Sequence, residues 1–301
     1  MLKDSLQSVL GVEQVDEATF RGNPTAGPFH RMFGGQLLAQ AVCAAGQIVR
    51  PDRTVASVRG TFLREGDCSR PIHYTARQLL QGRTFSILRV DAIQNDRLIF
   101  VAEVSLQTPE SEPRPVAPAI FPDLSEEILR SSPFEMPLSS DPAEAGNYRS
   151  HFDLRPAEIV HERSSALPIA HPPLQSLATN HSQAVWFRLR GGPPETDLLT
   201  SAALAYASDF TVLQLVKKAK SVRRTEGGTN AATLNHSVWW HAAPKLTEWS
   251  LYFQEAPRAG GIRGLVFGRI YDSSGTLIAS TAQEGIARIP PAQSTRAATP
   301  Q

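Results

Sequence analysis

Asp209 stands in YASDFTVLQLV (206–216), where Tyr206, Val212, Leu213 and Val216 recur at helical spacing along one apolar face. An ionised carboxylate on such a face is costly unless a partner or a reaction needs it there. Two more polar residues occur in apolar strand patterns downstream. Thr233 lies in ATLNHSVWWH, and Gln283 shares a face with Leu277, Ala279 and Thr281 in TLIASTAQEG. A carboxylate, a hydroxyl and an amide brought to one pocket by a helix and two strands would handle a proton and hold a polar ligand. Each also has a plainer reading. Ser208 and Asp209 are good helix N-caps, threonine is a β-former, and a glutamine suits an exposed strand position.

The elements that must position these residues occur twice. After FGGQ, the run LLAQAVCAAGQIV places Leu37, Leu38, Ala41, Val42, Ala45, Ile48 and Val49 on one broad helical face. TFSILRVDAI, an Asn95-Asp96 turn and RLIFVAEVSLQ read as a β-hairpin, with Leu98, Phe100, Ala102, Val104 and Leu106 alternating to one side. From Thr108 to about Ala145 the chain turns proline-rich and acidic, which reads as a linker with a short helix near Ser125–Arg130. FDLRPAEIV and SQAVWFRLRG are strand candidates, separated by a Pro-rich loop. One long helix through YASDFTVLQLVKKAK follows, then four strands, with Asp272–Gly275 as a tight turn. FGGQLL falls on YASDFT, VASVRGTFLR on ATLNHSVWWH, and RLIFVAEV on TLIASTAQ. Two copies of one α+β unit are expected, their sheets joined edge to edge. On that comparison Asp209 faces Gln36, Thr233 faces Ala56, and Gln283 faces Val104, the second copy being the more polar each time.

Composition removes several classes of function. With 301 residues, 41% apolar and 20% charged, the chain suits a globular protein with a sizeable core. A net charge of +1, without an Arg-and-aromatic stripe, argues against nucleic acid as partner. Cys43 and Cys68 form neither a disulfide framework nor a CxxC pair, and His236 with His241 lacks a third ligand, so no metal site is expected. No secretory signal and no apolar run of the roughly 20 residues a membrane span needs are evident, which points to a cytoplasmic protein with no membrane partner. GxSxG, Walker A, GxGxxG and HExxH motifs are missing.

The ordered set FRGNP, FGGQLLAQA, FLREGD, PIHY, GRTFSILRVDAIQ, YASDF, TLNHSVWWH and AGGIRGLVFGRIYDSSGTLIASTAQEG resembles the acyl-CoA thioesterase II (TesB-like) family over nearly the whole chain. The resemblance implies an α+β double hotdog, two tandem units each with an antiparallel sheet wrapped around a long helix. Residues 1–110 would form the N-terminal unit, 111–150 the linker, and 151–301 the unit carrying the catalytic residues. It implies hydrolysis of medium- or long-chain fatty acyl-CoA to free acid and CoA, no cofactor beyond the CoA of the substrate, and a homo-oligomer, dimer or tetramer. In this family an Asp in YASD, a Thr or Ser at the start of the next strand and a Gln in QEG activate water together. Carried over, these are Asp209, Thr233 and Gln283.

A thioester is electrophilic enough to be attacked by a held water, so Asp209 would be the general base, raised by its apolar surroundings, with Thr233 and Gln283 orienting the water. Gly34 and Gly35, with Gln36, would bring a backbone N–H to the oxyanion, although they suit helix-to-sheet packing equally. Lys217 and Lys218, in KKAKSVRR with Lys220, Arg223 and Arg224, would meet the CoA phosphates or simply complement a helix C-terminus. His236 is placed with the substrate pocket, with a purely structural role as the other reading. Two departures from the family pattern occur: Ala56 and Arg59 stand where the first-half strand usually carries His, and Asn235 replaces the Asp of DHS. A catalytically weak acyl-CoA-binding sensor on the same fold is the alternative function.

Overall fold

The computed structural model describes residues 5–25, 32–109, 149–157, 181–220 and 230–288. The expected helix near Ser125–Arg130, most of the linker, the Pro-rich loop before SQAVWFRLRG, and Arg223 and Arg224 lie outside them. In the first half, α1 (Leu6–Leu10), β1 (Val12–Gln14) and β2 (Thr19–Gly22) precede α2 (Gly34–Gln47). β3 (Thr54–Phe62), β4 (Ile72–Gln81), β5 (Phe85–Gln94) and β6 (Arg97–Gln107) follow it. In the second half, β7 (Phe152–Pro156) and β8 (Ser182–Leu189) precede two helices, α3 (Asp197–Ala207) and α4 (Val212–Ala219). β9 (Asn230–Trp240), β10 (Ser250–Gly260), β11 (Arg263–Tyr271) and β12 (Leu277–Arg288) complete it.

The strands form a single antiparallel sheet in the order β1-β2-β4-β5-β6-β3-β9-β12-β11-β10-β8-β7. Read from its centre, the order is symmetric: β3 and β9 pair, flanked by β6 and β12, then β5 and β11. The seam has a defined register, with Val58 opposite Val238 and Gly60 opposite His236. α2 packs on strands of the first half, α4 on strands of the second, and α2 and α3 pack on each other. This is the double hotdog, with one core cluster running through both halves.

α2 is buried on every side from Gly35 to Ala45, so its apolar content is not confined to a stripe, as befits a helix enclosed by a sheet. The β5–β6 hairpin turns at Asn95 and Asp96, both at positive φ (52° and 56°), the conformation a two-residue hairpin turn demands. Phe100, Ala102, Val104 and Leu106 are buried in alternation along β6, as their spacing predicts. The β11–β12 turn is pinned by Asp272, whose Oδ1 accepts from the backbone N–H groups of Ser274 and Thr276.

Two expectations need correcting. The long helix through YASDFTVLQLVKKAK is two helices, broken at 208–211. The hand alignment of the central strands is also one residue out. Each of β3 and β9 carries a bulge against its neighbour, at Ala56 and at Leu234. Aligning the bulges places Val55 with Thr233 and Val58 with His236, while Val104 with Gln283 stands: Val58 pairs Val104 as His236 pairs Gln283. A one-residue slip exchanges the faces of a strand. Arg59 is accordingly an exposed residue 3.8 Å from Glu103, on the face opposite the buried Val58. One further expectation changes: Asp197–Ala219 is long enough for a membrane span and contains 18 consecutive residues of mean hydropathy 1.2, but 78% of those residues are buried inside the protein.

Candidate active site

The break between α3 and α4 is built by side chains that take over the carbonyls a continuous helix would bond. Tyr252 donates its hydroxyl to the Ser208 carbonyl at 3.0 Å and Arg149 donates to that of Phe210, while Gln183 donates at 3.0 Å to the Thr211 carbonyl, which also accepts from the Gln214 and Leu215 N–H groups of α4. Gln254 donates to the Thr211 hydroxyl at 2.6 Å. Phe210 is held among Phe33, Phe152 and Tyr206, with ring centroids 5.5, 5.2 and 5.4 Å away. With the Ser208 and Phe210 carbonyls satisfied by these side chains, leaving the helix costs the segment less. Neither helix is capped by Asp209. Thr211 is the N-cap of α4 and makes no side-chain cap bond, while Ser208 closes α3.

Freed from the helix, Asp209 turns towards the seam. Its Oδ1 accepts from Gln283 Nε2 at 2.8 Å, and the second hydrogen of that amide goes to Thr233 Oγ1 at 2.9 Å. The carboxylate, hydroxyl and amide picked out in the sequence therefore do meet. Gln283 is 1% exposed and Asp209 8%. The carboxylate also faces the start of α2, from the other half of the chain. A methyl at Gly34 would lie 2.8 Å from Asp209 Oδ2. The N-cap residue of α2, Phe33, makes no side-chain cap bond, so Asp209 supplies negative charge to that N-terminus across the seam. Burial pushes the Asp209 pKa up to about 7, against the opposing pull of Gln283, the Gly35 N–H, Thr233 and the Arg149 guanidinium. A carboxylate that exchanges a proton near neutrality suits a general base.

The remaining predicted residues divide. Gly34 and Gly35 are at the site, and the Gly35 N–H points to the carboxylate itself. Gln36 turns away: it accepts from the Thr25 N–H and donates to the carbonyls of Val9 and Asn23, tying the N-terminal segment to α2. His236 is fully buried beside Gln283, where burial lowers its pKa to about 3 and keeps it neutral. Lys217 and Lys218 lie in the last turn of α4, at the end away from Asp209, and Lys220 donates to the carbonyls of Gly261 and Ala287. Asn235 points to the other face of β9 and donates to Glu284, so its replacement of a carboxylate does not touch the site. In the first half, the places of Thr233, His236 and Gln283 are taken by the buried Val55, Val58 and Val104. Sequence reasoning missed Arg149, Gln183 and Tyr252. The Tyr252 and Gln183 positions lie in strand patterns that were recognised, but nothing in the sequence ties their side chains to a helix break.

Comparison with known proteins identifies the family and the fold. A family profile described as acyl-CoA thioesterase matches residues 163–286, and one described as the acyl-CoA thioesterase N-terminal domain matches residues 23–107. The chain is 32% identical over 295 residues to acyl-CoA thioesterase 2 of Haemophilus influenzae, covering 95% of this chain and 97% of that protein. It is 32% identical over 293 residues to acyl-coenzyme A thioesterase 8 of Homo sapiens, covering 94% and 89%. Among solved structures, the TesB protein of Mycobacterium avium subspecies paratuberculosis is similar with a TM-score of 0.73 at 26% identity, covering 94% of this chain and 98% of that one. A hot dog fold protein of Alicyclobacillus acidocaldarius is alike in fold, with a TM-score of 0.71 at 18% identity, covering 96% and 99%.

Proposed function

Because the chain belongs to the acyl-CoA thioesterase family and is a thioester hydrolase acting on acyl-CoA, we propose that Asp209, Thr233 and Gln283 perform the hydrolysis on medium- or long-chain fatty acyl groups. The observation that carries this reading is the single amide nitrogen of Gln283 bridging Asp209 and Thr233. Because Thr233 Oγ1 accepts that bond, its own proton stays available for a water or for the carboxylate. Water held by Thr233 and Asp209 attacks the thioester carbonyl carbon and gives a proton to Asp209. The tetrahedral intermediate then collapses, the C–S bond breaks, and the proton passes from Asp209 to the departing CoA thiolate. The products are the free acid and CoA. The positive end of α2, which already faces the carboxylate, also favours charge developing on the carbonyl oxygen.

The base must be ionised to act, so kcat/KM is expected to fall tenfold per pH unit below the Asp209 pKa of about 7 and to level off above it. A profile flat from pH 5 to 8, measured by thiol release, would remove Asp209 from that role. Thr233→Val keeps the shape but removes the hydroxyl; kcat is expected to drop on the order of 10- to 100-fold with KM nearly unchanged. A raised KM with kcat unchanged would assign Thr233 to substrate binding instead. A panel of acyl-CoAs from short to long chain, followed by thiol release, tests the substrate class: binding without release favours a sensor, and release from short chains alone overturns the chain-length reading. We place the enzyme in the cytoplasm as a homo-oligomer needing no cofactor, which supports the simplest assay, purified protein with acyl-CoA alone.

A further inference from the structure

His236 and Gln283 are directly opposite one another on β9 and β12. Both side chains are buried, and each has one polar atom without a hydrogen-bond partner of regular geometry among the described residues: His236 Nδ1 and Gln283 Oε1. The other ring nitrogen, Nε2, lies 2.7 Å from Ser208 Oγ. Ser208 Oγ is also 2.8 Å from the Ala205 carbonyl, so one hydroxyl proton has two acceptors. If Ser208 gives its proton to Ala205, the neutral ring must carry its own proton on Nε2. Nδ1 and Oε1 are then two buried acceptors side by side, with no donor between them. If Ser208 gives its proton to Nε2, the ring proton sits on Nδ1 and Oε1 accepts it. The second arrangement removes that clash and leaves only the Ala205 carbonyl without the Ser208 proton, a smaller mismatch than two acceptors set against each other.

The orientation of the Gln283 amide matters because its two ends are nearly the same shape. Turned over, it would present Oε1 to the Asp209 carboxylate and to Thr233, repelling the first. We propose that His236 is a positioning residue: its Nδ1–H, held in that tautomer by Ser208, fixes the Gln283 amide with Nε2 towards Asp209 and Thr233. The inference rests on the reading of Asp209 as base. Burial keeps the ring neutral, so Nδ1 carries the proton only while Ser208 donates to Nε2, and contact with Gln283 favours the protonated form of the ring. The groups facing Asp209 are the Gln283 amide, the Thr233 hydroxyl, the Gly35 N–H, the Arg149 guanidinium and the Tyr252 phenol.

Asparagine places an amide N–H where the histidine has Nδ1, whereas leucine fills the space with no donor. In His236→Leu, kcat is expected to fall on the order of 10- to 100-fold with KM within about twofold. The acidic limb of its pH profile should move up by about one unit as the carboxylate loses the amide bond. His236→Asn should keep kcat within about threefold and leave the limb in place, because the donor is restored. Ser208→Ala, which frees the tautomer without opening the core, should move kcat and the limb in the direction of the leucine variant, and carries the test if His236→Leu does not fold. The proposal is overturned if the asparagine variant falls as far as the leucine one, or if loss of the donor leaves kcat and the limb at wild-type values. Asp209→Asn serves as the control for the underlying reading: its retention of activity would sink the base assignment, whereas an inactive Asp209→Asn beside a normal His236→Leu sinks this inference alone.

Discussion

Asp209→Asn is expected to lose about 10²- to 10⁴-fold in kcat while becoming the more stable protein at pH 8. The two effects have one cause, the burial of a carboxylate that the fold would rather keep neutral. In the unfolded chain the group ionises near the ordinary aspartate value of 3.8, and in the folded protein near 7. Between those values the folded state holds a proton that the unfolded chain has released, so stability falls as pH rises and levels off above about 7. The loss is bounded at about 4 kcal/mol, one pKa unit being worth about 1.4 kcal/mol. Asparagine has no charge to bury and removes that slope. Urea unfolding from pH 4 to 8, alongside thiol release, checks both halves of the expectation. A variant no more stable than wild type at pH 8 would mean that the polar partners hold the anion without strain, contrary to a carboxylate poised as a base.

Gly35→Ala is expected to damage both folding and turnover, although alanine normally improves a helix. A methyl there would lie 2.5 Å from a Phe33 ring carbon and 2.5 Å from the Tyr206 carbonyl oxygen. The phenylalanine ring can rotate, but the carbonyl belongs to the backbone of α3 and cannot. The start of α2 must therefore draw back from α3, and with it the Gly35 N–H from Asp209. Overpacking of this kind costs about 1–3 kcal/mol, and a displacement near 1 Å is enough for a loss on the order of 100-fold in kcat/KM. Gly192, with nothing within 4 Å of the added methyl, is the control, and its alanine variant should match wild type. Thermal unfolding and thiol release on the two variants separate the effects. A Gly35→Ala protein with unchanged melting temperature and rate would show that α2 and α3 are not in the close contact on which the site depends.

The elements that declare themselves locally were legible in the sequence. The β5–β6 hairpin is written in alternating apolar residues around Asn95-Asp96, α2 in its small apolar residues, and the β11–β12 turn in Asp272 and Gly275. β4 was not recognised, because its second half, from Arg77 to Gln81, is exposed on both faces and breaks the alternation. The meeting of Asp209, Thr233 and Gln283 could be anticipated because their polarity contrasts with apolar counterparts in the first half. The conformation of Asp209 could not. YASDFTVLQLV has no glycine or proline to mark a break, and continues the apolar helical pattern straight through it. The carbonyls released at the break are taken by Arg149 and Tyr252, both remote in sequence and brought there only by the fold. Register was similarly hidden, since a bulge adds one residue without leaving a signature in side-chain type. That single residue decides whether His236 has Arg59 or Val58 as its counterpart.

The carboxylate of one half lies at the helix start of the other, and this arrangement makes each half dependent on its neighbour. An isolated second unit would retain Asp209, Thr233 and Gln283 but present them to an empty space where α2 begins. An isolated first unit would retain the start of α2 without the carboxylate that faces it. With the acidic group of one half set against the backbone of the other, neither half holds the site by itself, and the repeated architecture is indivisible where Asp209 is concerned.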